Sequence, residues 1–175
     1  SDQATQLYLK AKNEEKVFVI PALTGLGAPY WEPNVRGGIF GLTRNTSIAE
    51  IVKATLDSIA YQTFDLVEAM EKDSKIKIKE IRVDGGMISN NNFIQSIANV
   101  LRIKIIKPKN IETTALGAAY LAALSSGHLK NLQSIKKIWK IEKNFISNKS
   151  KKEVSQNLLN WNKAVKVLIS FYKKK

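Results

Sequence analysis

The clearest pattern in the chain is a set of mostly apolar residues that recur every three or four positions between residues 48 and 70. This spacing places them on one face of a helix. The recurring positions are Ile48, Val52, Leu56, Ile59, Thr63, Val67 and Met70. Just ahead of them stand Ser47 and Glu50, which form the S-x-x-E pattern of a capping box. We therefore predict a long amphipathic helix that starts there and reaches about Lys72.

Short apolar segments and helical patterns alternate after this helix. Strands are predicted over 80–84 and 103–108, and a helix is predicted to begin near Asn90 between them. A further helix is predicted over 112–127, and an amphipathic one over about 152–172. Strand, helix, strand and helix in this order indicate an α/β unit with at least one right-handed parallel crossover.

The N-terminal part is less regular. Residues 1–15 are predicted to be the end of a helix followed by a loop, and 17–23 begins with a strand that Pro21 ends or places at a sheet edge. The Gly/Pro-rich stretch 24–38 predicts a long loop, and a strand is predicted over 38–43.

Composition is that of a water-soluble globular protein, with 44% hydrophobic and 25% charged residues in 175. Apolar runs are too short for a membrane span, and the polar N-terminus lacks the apolar region of a secretory signal. The absence of cysteine excludes disulfides, thiolate catalysis and zinc–thiolate sites. A cytoplasmic location fits this composition.

The net charge of +13 raises the question of nucleic-acid binding. Of 28 basic residues only 4 are Arg, the side chain best suited to bidentate contacts with bases and phosphates. Much of the Lys lies in the last third of the chain. We interpret it as a solvated surface and expect no nucleic-acid partner, although a non-catalytic basic binding module remains an alternative.

The segment VDGGMISNN, residues 83–91, holds the candidate chemistry. Gly85 and Gly86 follow a predicted strand, and Asn90 stands at the start of the next helix. Paired glycines allow a phosphate or a flat ring to approach the backbone, and helix N-termini attract anions. A plain turn with an Asn cap fits the same pattern. Asp84 is a candidate either for a metal-water or phosphate network or for accepting backbone N–H groups in the turn.

Other motifs give weaker evidence about function. No P-loop is present, and GLGAPY lacks the last glycine of a dinucleotide fingerprint. Tyr30 and Trp31 are interpreted as aromatic residues that pack the loop, and no catalytic role is assigned to His128. Gly117, inside a predicted helix that Gly127 should close, suggests close packing by a strand or ligand. No complete catalytic set and no metal-spaced cluster occurs.

Four stretches together resemble one family. PALTGLGAPYWEPNVRGGIFGLT, ATLDSIAYQT, IRVDGGMISNN and TTALGAAYLA are similar to the C-terminal half of the FGGY carbohydrate kinases, over roughly residues 17–172. The GLGAPYW loop points to the glycerol kinase branch of that family. The resemblance implies an α/β domain of the actin-like, ribonuclease H-like ATPase fold. It implies an FGGY C-terminal nucleotide-binding domain over 17–175, including the C-terminal helix, after a remnant of an inter-domain segment over 1–16.

The resemblance also assigns roles within the glycine turn. It implies that Gly86 and Asn90 contact ATP or ADP and that Gly85 and Met87 line the same pocket. Ala115 and Gly117 would then pack close to the turn.

The implied activity is transfer of the γ-phosphoryl group of Mg²⁺-bound ATP to glycerol, in a cleft between two domains. The family places the catalytic Asp and the glycerol-binding side chains in an N-terminal kinase domain. We therefore expect no catalytic residue and no metal ligand in this chain, and no kinase activity from it alone. Phosphorylation of another sugar or polyol, such as xylulose, is the alternative. Homo-oligomer formation is left open.

Overall fold

The computed structural model describes residues 2–12 and 16–173. In chain order the elements are α1 (Asp2–Lys10), β1 (Phe18–Ile20), β2 (Gly38–Phe40), α2 (Ile48–Ser74), β3 (Glu80–Arg82), a 3₁₀ helix (Gly86–Ser89), α3 (Asn91–Leu101), β4 (Lys104–Pro108), α4 (Thr113–Ser125), α5 (Leu132–Ile138), β5 (Ile141–Phe145) and α6 (Lys151–Tyr172). The α/β class predicted from the sequence is confirmed.

Helix α2 begins as its capping box predicts. The Ser47 hydroxyl accepts from the backbone N–H of Ala49 at 3.1 Å, and the Glu50 carboxylate accepts from the backbone N–H of Ser47 at 2.8 Å. These bonds satisfy N–H groups that have no partner inside the helix. The helix ends at Lys75, which adopts the left-handed conformation with φ 60°. It is slightly longer than predicted.

Strand pairing confirms the parallel crossover. Strands β3 and β4 pair in parallel with α3 between them in the chain, and β5 pairs antiparallel with β4, so the sheet order is β3-β4-β5. Strands β1 and β2 form a separate antiparallel pair. The strand expected over 38–43 is shorter than predicted. Both α5 and β5 lie in the Lys-rich stretch, where no element was predicted, and Phe145 is the only one of their residues that is buried.

The core lies where α2, α3 and α6 meet β1 and β4. Trp161 of α6 is fully buried, stacks on Tyr61 of α2 at 5.2 Å between ring centroids, and donates from Nε1 to Asp65 at 2.8 Å. Ile94 and Ile105 are also fully buried. This packing holds α3, and with it the end of the glycine turn, against the body of the domain.

The N-terminal segment is docked on α2. The Tyr8 hydroxyl of α1 donates to Asp57 at 3.1 Å, and the backbone N–H of Lys12 donates to Glu50 at 2.8 Å. The predicted helix end is confirmed as α1. Part of the loop predicted after it, residues 13–15, lies outside the described residues.

The Gly/Pro loop has two aromatic residues with different environments. The Tyr30 hydroxyl donates to the buried Asp65 at 2.8 Å, and its ring packs against the core, as predicted. Trp31 is 74% exposed, so the prediction that it packs the loop was wrong. Its φ of 52° turns the backbone left-handed there.

Helix α4 differs from the other long helices, since none of its residues is buried. Leu121 is 67% exposed. Gly127 follows the helix with φ +78°, which confirms the closing glycine. No helix among the described residues combines the length and the apolar character that a membrane crossing needs.

Candidate functional site

The glycine turn connects β3 to α3 and is open to solvent. Gly85 has φ +88°, a conformation that side chains with a Cβ rarely adopt. A Cβ built at Gly85 or at Gly86 would meet nothing within 4 Å. The two glycines therefore leave free space above the backbone, and only Gly85 is required by its backbone conformation.

Unpaired donors face this open turn. The 3₁₀ helix starts at Gly86, with the N–H of Ile88 donating to the carbonyl of Gly85 at 3.2 Å. Among the described residues, the backbone N–H groups of Gly86 and Met87 make no hydrogen bond. Helix starts leave such N–H groups available to ligands, and anions or other acceptors satisfy them best.

Asn90 ends the turn and caps α3. Its Oδ1 accepts from the backbone N–H groups of Asn92 at 2.9 Å and Phe93 at 3.3 Å. Because the oxygen is committed to the helix, the side-chain Nδ2 is directed away from it, and within the described residues it donates to no partner. Asn90 thus combines a structural acceptor with a free donor beside the glycines.

Met87 completes the exposed surface of the turn. Its side chain is 49% exposed, whereas the neighbouring Ile88 is buried and anchors the 3₁₀ helix in the core. The four residues singled out from the sequence, Gly85, Gly86, Met87 and Asn90, therefore lie together on one accessible turn.

Two contacts hold the turn against α4. The N–H of Gly85 donates to the carbonyl of Ile111 at 3.4 Å, and the hydroxyl of Thr113 donates to the Asp84 carboxylate. Asp84 therefore has a side-chain hydroxyl as its partner, where the sequence suggested a backbone N–H or a bound metal-water network. Thr113 was missed because a Thr at a helix start is usually explained by local capping.

Ala115 and Gly117 of α4 were expected to pack close to the turn. Ala115 is exposed, and a Cβ built at Gly117 meets nothing within 4 Å. Close packing by another element of the described chain is therefore not the reason for Gly117, and that expectation was wrong. Nδ1 of His128 lies 2.9 Å from the hydroxyl of its neighbour Ser126.

The buried carboxylates lie elsewhere, on α2. Asp65 accepts from Tyr30 and Trp161, and burial raises the pKa of its carboxyl group. Asp57 accepts from Tyr8 at 3.1 Å and from Ser96 at 2.5 Å, and it pairs with Lys53. Glu50, which is also buried on α2, accepts from the backbone N–H groups of Lys12 and Ser47. All three carboxylates have structural partners. Among the described residues no group of three or more His, Asp or Glu side chains could hold a metal ion.

Two cavities are present, and the second borders Ile111, whose carbonyl accepts from the N–H of Gly85. One of about 330 Å³ lies between α1, α3 and the start of α6 and includes Tyr8, Gln95 and Asn157 in its lining. Another of about 470 Å³ lies between α4 and the segment before β5 and includes Tyr120 and Trp139. Neither is lined by Gly85, Gly86, Met87 or Asn90. The open space above Gly85 and Gly86 makes the candidate site an open surface.

Comparison with known proteins gives consistent matches along the chain. Residues 2–126 match the C-terminal domain of the FGGY family of carbohydrate kinases. The chain is 44% identical to a Streptococcus sanguinis glycerol kinase over 171 residues, which is 98% of this chain and 34% of that protein. It is 46% identical to a Mycoplasmopsis pulmonis glycerol kinase over 162 residues, covering 93% of this chain and 32% of the relative.

Solved structures agree with these relatives. Plasmodium falciparum glycerol kinase with ADP superimposes with a TM-score of 0.87 at 34% identity, over 95% of this chain and 33% of that one. Gluconate kinase from Lactobacillus acidophilus matches with a TM-score of 0.81 at 23% identity, over 98% of this chain and 35% of that one, which shows a shared fold. The chain spans about a third of the length of these proteins. It belongs to the FGGY family of carbohydrate kinases and corresponds to part of their C-terminal domain.

Proposed function

We propose that this chain is the nucleotide-binding part of an ATP-dependent glycerol kinase, which converts ATP and glycerol to ADP and glycerol 3-phosphate. The glycerol kinases to which it is similar and the ADP-containing structural neighbour support this activity. The observation that carries the proposal is the open glycine turn. It presents the unpaired N–H groups of Gly86 and Met87 next to the free amide nitrogen of Asn90.

In this proposal the turn binds and orients the nucleotide. Gly86 lets ATP or ADP approach the backbone, and its N–H with that of Met87 donates to acceptor atoms of the ligand. Asn90 donates through Nδ2 while its oxygen keeps α3 capped. Gly85 provides the backbone reversal, and the exposed Met87 side chain offers an apolar contact for a flat ring.

In this proposal the chain positions the nucleotide and supplies no catalytic group. Phosphoryl transfer depends on placing donor and acceptor in line and on stabilising charge. We propose that Mg²⁺ enters with ATP as part of the substrate. We propose that the catalytic base and the glycerol site belong to an N-terminal kinase domain. The chain alone is then inactive.

The domain limits remain part of the proposal. We assign residues 17–175 to the nucleotide-binding domain and 1–16 to the inter-domain segment. Within this segment, Tyr8 and Lys12 make hydrogen bonds to Asp57 and Glu50 of α2. A cytoplasmic location is likewise proposed from the kind of enzyme.

The test is calorimetric titration of Mg-ADP into the full-length natural protein and a Gly86→Val variant. Gly86 does not have a positive φ, and a Cβ there meets only open space. The variant should therefore fold normally while its side chain occupies the approach to the backbone. We expect ADP affinity to fall at least about tenfold, since the Val side chain blocks close approach of the ligand to the two backbone N–H groups.

Gly117→Val is the matched control, because a Cβ at Gly117 also meets nothing within 4 Å but lies in α4 away from the turn. It should bind ADP like the parent. Equal binding by Gly86→Val and the parent would overturn the assignment of the turn.

The acceptor needs a separate test, because gluconate and xylulose kinases share the fold. A panel of polyols and sugars assayed with the full-length protein should show highest kcat/KM for glycerol. Preference for xylulose or gluconate would replace the acceptor and leave the nucleotide site in place.

A further inference from the structure

Lys107 of β4 is a buried cation, with only 7% of the residue exposed. A lysine is rarely buried unless its ammonium group has partners. Its Nζ lies 2.9 Å from Oε1 of Glu142 and 3.4 Å from Oδ1 of Asn91. The ammonium group therefore connects β4 to two other elements.

The carboxylate partner is supplied by a β-bulge. Lys107 is opposite Lys143 in the β4–β5 ladder, and Pro108 is opposite Ile141, so Glu142 is an extra residue with no partner across the ladder. Bulges redirect side chains and occur often beside functional sites. Here the extra residue places a carboxylate within reach of Lys107.

The second partner lies next to the candidate site. Asn91 is the first residue of α3 and directly follows Asn90. On the other side of the turn, the N–H of Val83 donates to the carbonyl of Ile106 at 3.2 Å. Two consecutive residues of β4 therefore hold the two ends of the glycine turn. Ile106 holds the entry through its backbone, and Lys107 holds the exit through its side chain.

We propose that Lys107 is a positioning residue for nucleotide binding, held by Glu142 and acting through Asn91 on the orientation of Asn90. The proposal rests on the nucleotide-binding function proposed above. Lys107 holds the start of α3 at a fixed distance from the sheet, and this sets where the Nδ2 donor of Asn90 points relative to the N–H groups of Gly86 and Met87.

The experiment measures Kd for Mg-ADP by calorimetry in the full-length natural protein. Lys107→Met keeps the aliphatic length and removes the ammonium group, and we expect about tenfold weaker binding. Lys107→Arg retains a cation that can donate to both partners and should restore affinity to within about threefold of the parent. Glu142→Ala frees the cation and should weaken binding by about threefold to tenfold. Lys104→Met, a cation loss in the same strand beside Glu80, is the matched control and should bind like the parent.

A steady-state readout separates positioning from general destabilisation. In Lys107→Met the KM for ATP should rise about tenfold while the KM for glycerol stays unchanged. A purely structural role would alter both or neither. If Lys107→Met does not fold, Glu142→Ala decides. Unchanged ADP affinity in that variant overturns the proposal.

The outcomes distinguish this inference from the function on which it rests. If Gly86→Val abolishes ADP binding but Lys107→Met binds like the parent, the turn binds nucleotide and Lys107 has no positioning role. If Lys107→Arg fails to restore affinity although its thermal unfolding matches the parent, the positioning role is overturned as well. If the parent itself does not bind Mg-ADP, both proposals fall.

Discussion

The contact between α2 and α6 and the surroundings of α4 are built in opposite ways. Between α2 and α6, Trp161 is fully buried, its ring stacks on Tyr61, and its Nε1 has a buried partner in Asp65. In α4, 13 residues rich in Ala and Leu include none that is buried. Between α2 and α6, the apolar rings are buried and the polar groups are hydrogen-bonded within the described chain. Helix α4 leaves its apolar side chains accessible.

We infer that the proposed nucleotide site lies between these two regions. The glycine turn is attached to the buried core through α3 and β4. It is attached to α4 and the residues just before it through Thr113 and Ile111. A binding site gains precision from a rigid support, and it gains access from a neighbour that does not cover it. A large apolar area that remains exposed is a surface suited to another protein part. The N-terminal domain proposed above would be that part.

The largest loss of stability should come from a substitution at the centre of the contact between α2 and α6. Trp161→Ala removes a fully buried indole and leaves Asp65 with one fewer donor. We expect a loss of about 3–5 kcal/mol in the free energy of unfolding, measured by denaturant titration. Trp31→Ala is the matched control because that ring is 74% exposed, and it should change stability by less than about 0.5 kcal/mol. Similar losses in the two variants would contradict the contrast in burial.

An intermediate effect on stability is expected from Glu50 at the start of α2, and it depends on pH. Hydrogen bonds from the Ser47 side chain and from the backbones of Lys12 and Ser47 lower the pKa of Glu50 from 4.5 to about 2. A carboxyl with a depressed folded pKa adds stability above its unfolded pKa and loses it as pH falls toward the folded value. Glu50→Gln should therefore reduce the drop in melting temperature between pH 4.5 and pH 2.

Asp65→Asn is the contrasting variant for this pH series. Burial raises the pKa of Asp65 above 3.8, so its ionisation opposes folding, and stability falls as pH rises from 3.8 through the folded pKa. Replacing it with Asn should remove that fall, an effect of the opposite sign. Identical pH slopes in the parent and both variants would show that neither carboxylate is coupled to folding.

The smallest change in stability should come from a substitution in the exposed helix α4. Gly117 lies inside α4 with open space where a Cβ would be. Gly117→Ala should stabilise the protein by about 0.5–1 kcal/mol, because alanine loses less backbone entropy in a helix. Gly41→Ala is the control, since φ is +81° there and a Cβ would lie 2.3 Å from the carbonyl oxygen of Lys16. It should be destabilising in the same thermal unfolding assay, and stabilisation by both changes would contradict the structural difference.

Local chemistry explains which parts could be predicted from the sequence. The start of α2 and the Asn90 cap were predicted because capping is decided within a few residues. The β5 strand was not, since only Phe145 of its five residues is buried, and no alternation distinguishes it from solvated chain. The Asp84–Thr113 contact joins residues 29 positions apart, which spacing cannot predict. The roles of the turn residues came from family resemblance, and they stay proposals.

The two hydrogen-bonding roles of Asn90 limit which residue types can occupy this position. Asp, Ser or Thr would cap α3 nearly as well as Asn, so folding alone tolerates several residues there. None of them carries an amide donor, and Asp would bring a negative charge toward a phosphate. Under the proposed function, selection for the fold and selection for the ligand overlap at one residue type. Under that proposal, Ser or Asp at this position would keep the helix cap and lose the amide donor to the nucleotide.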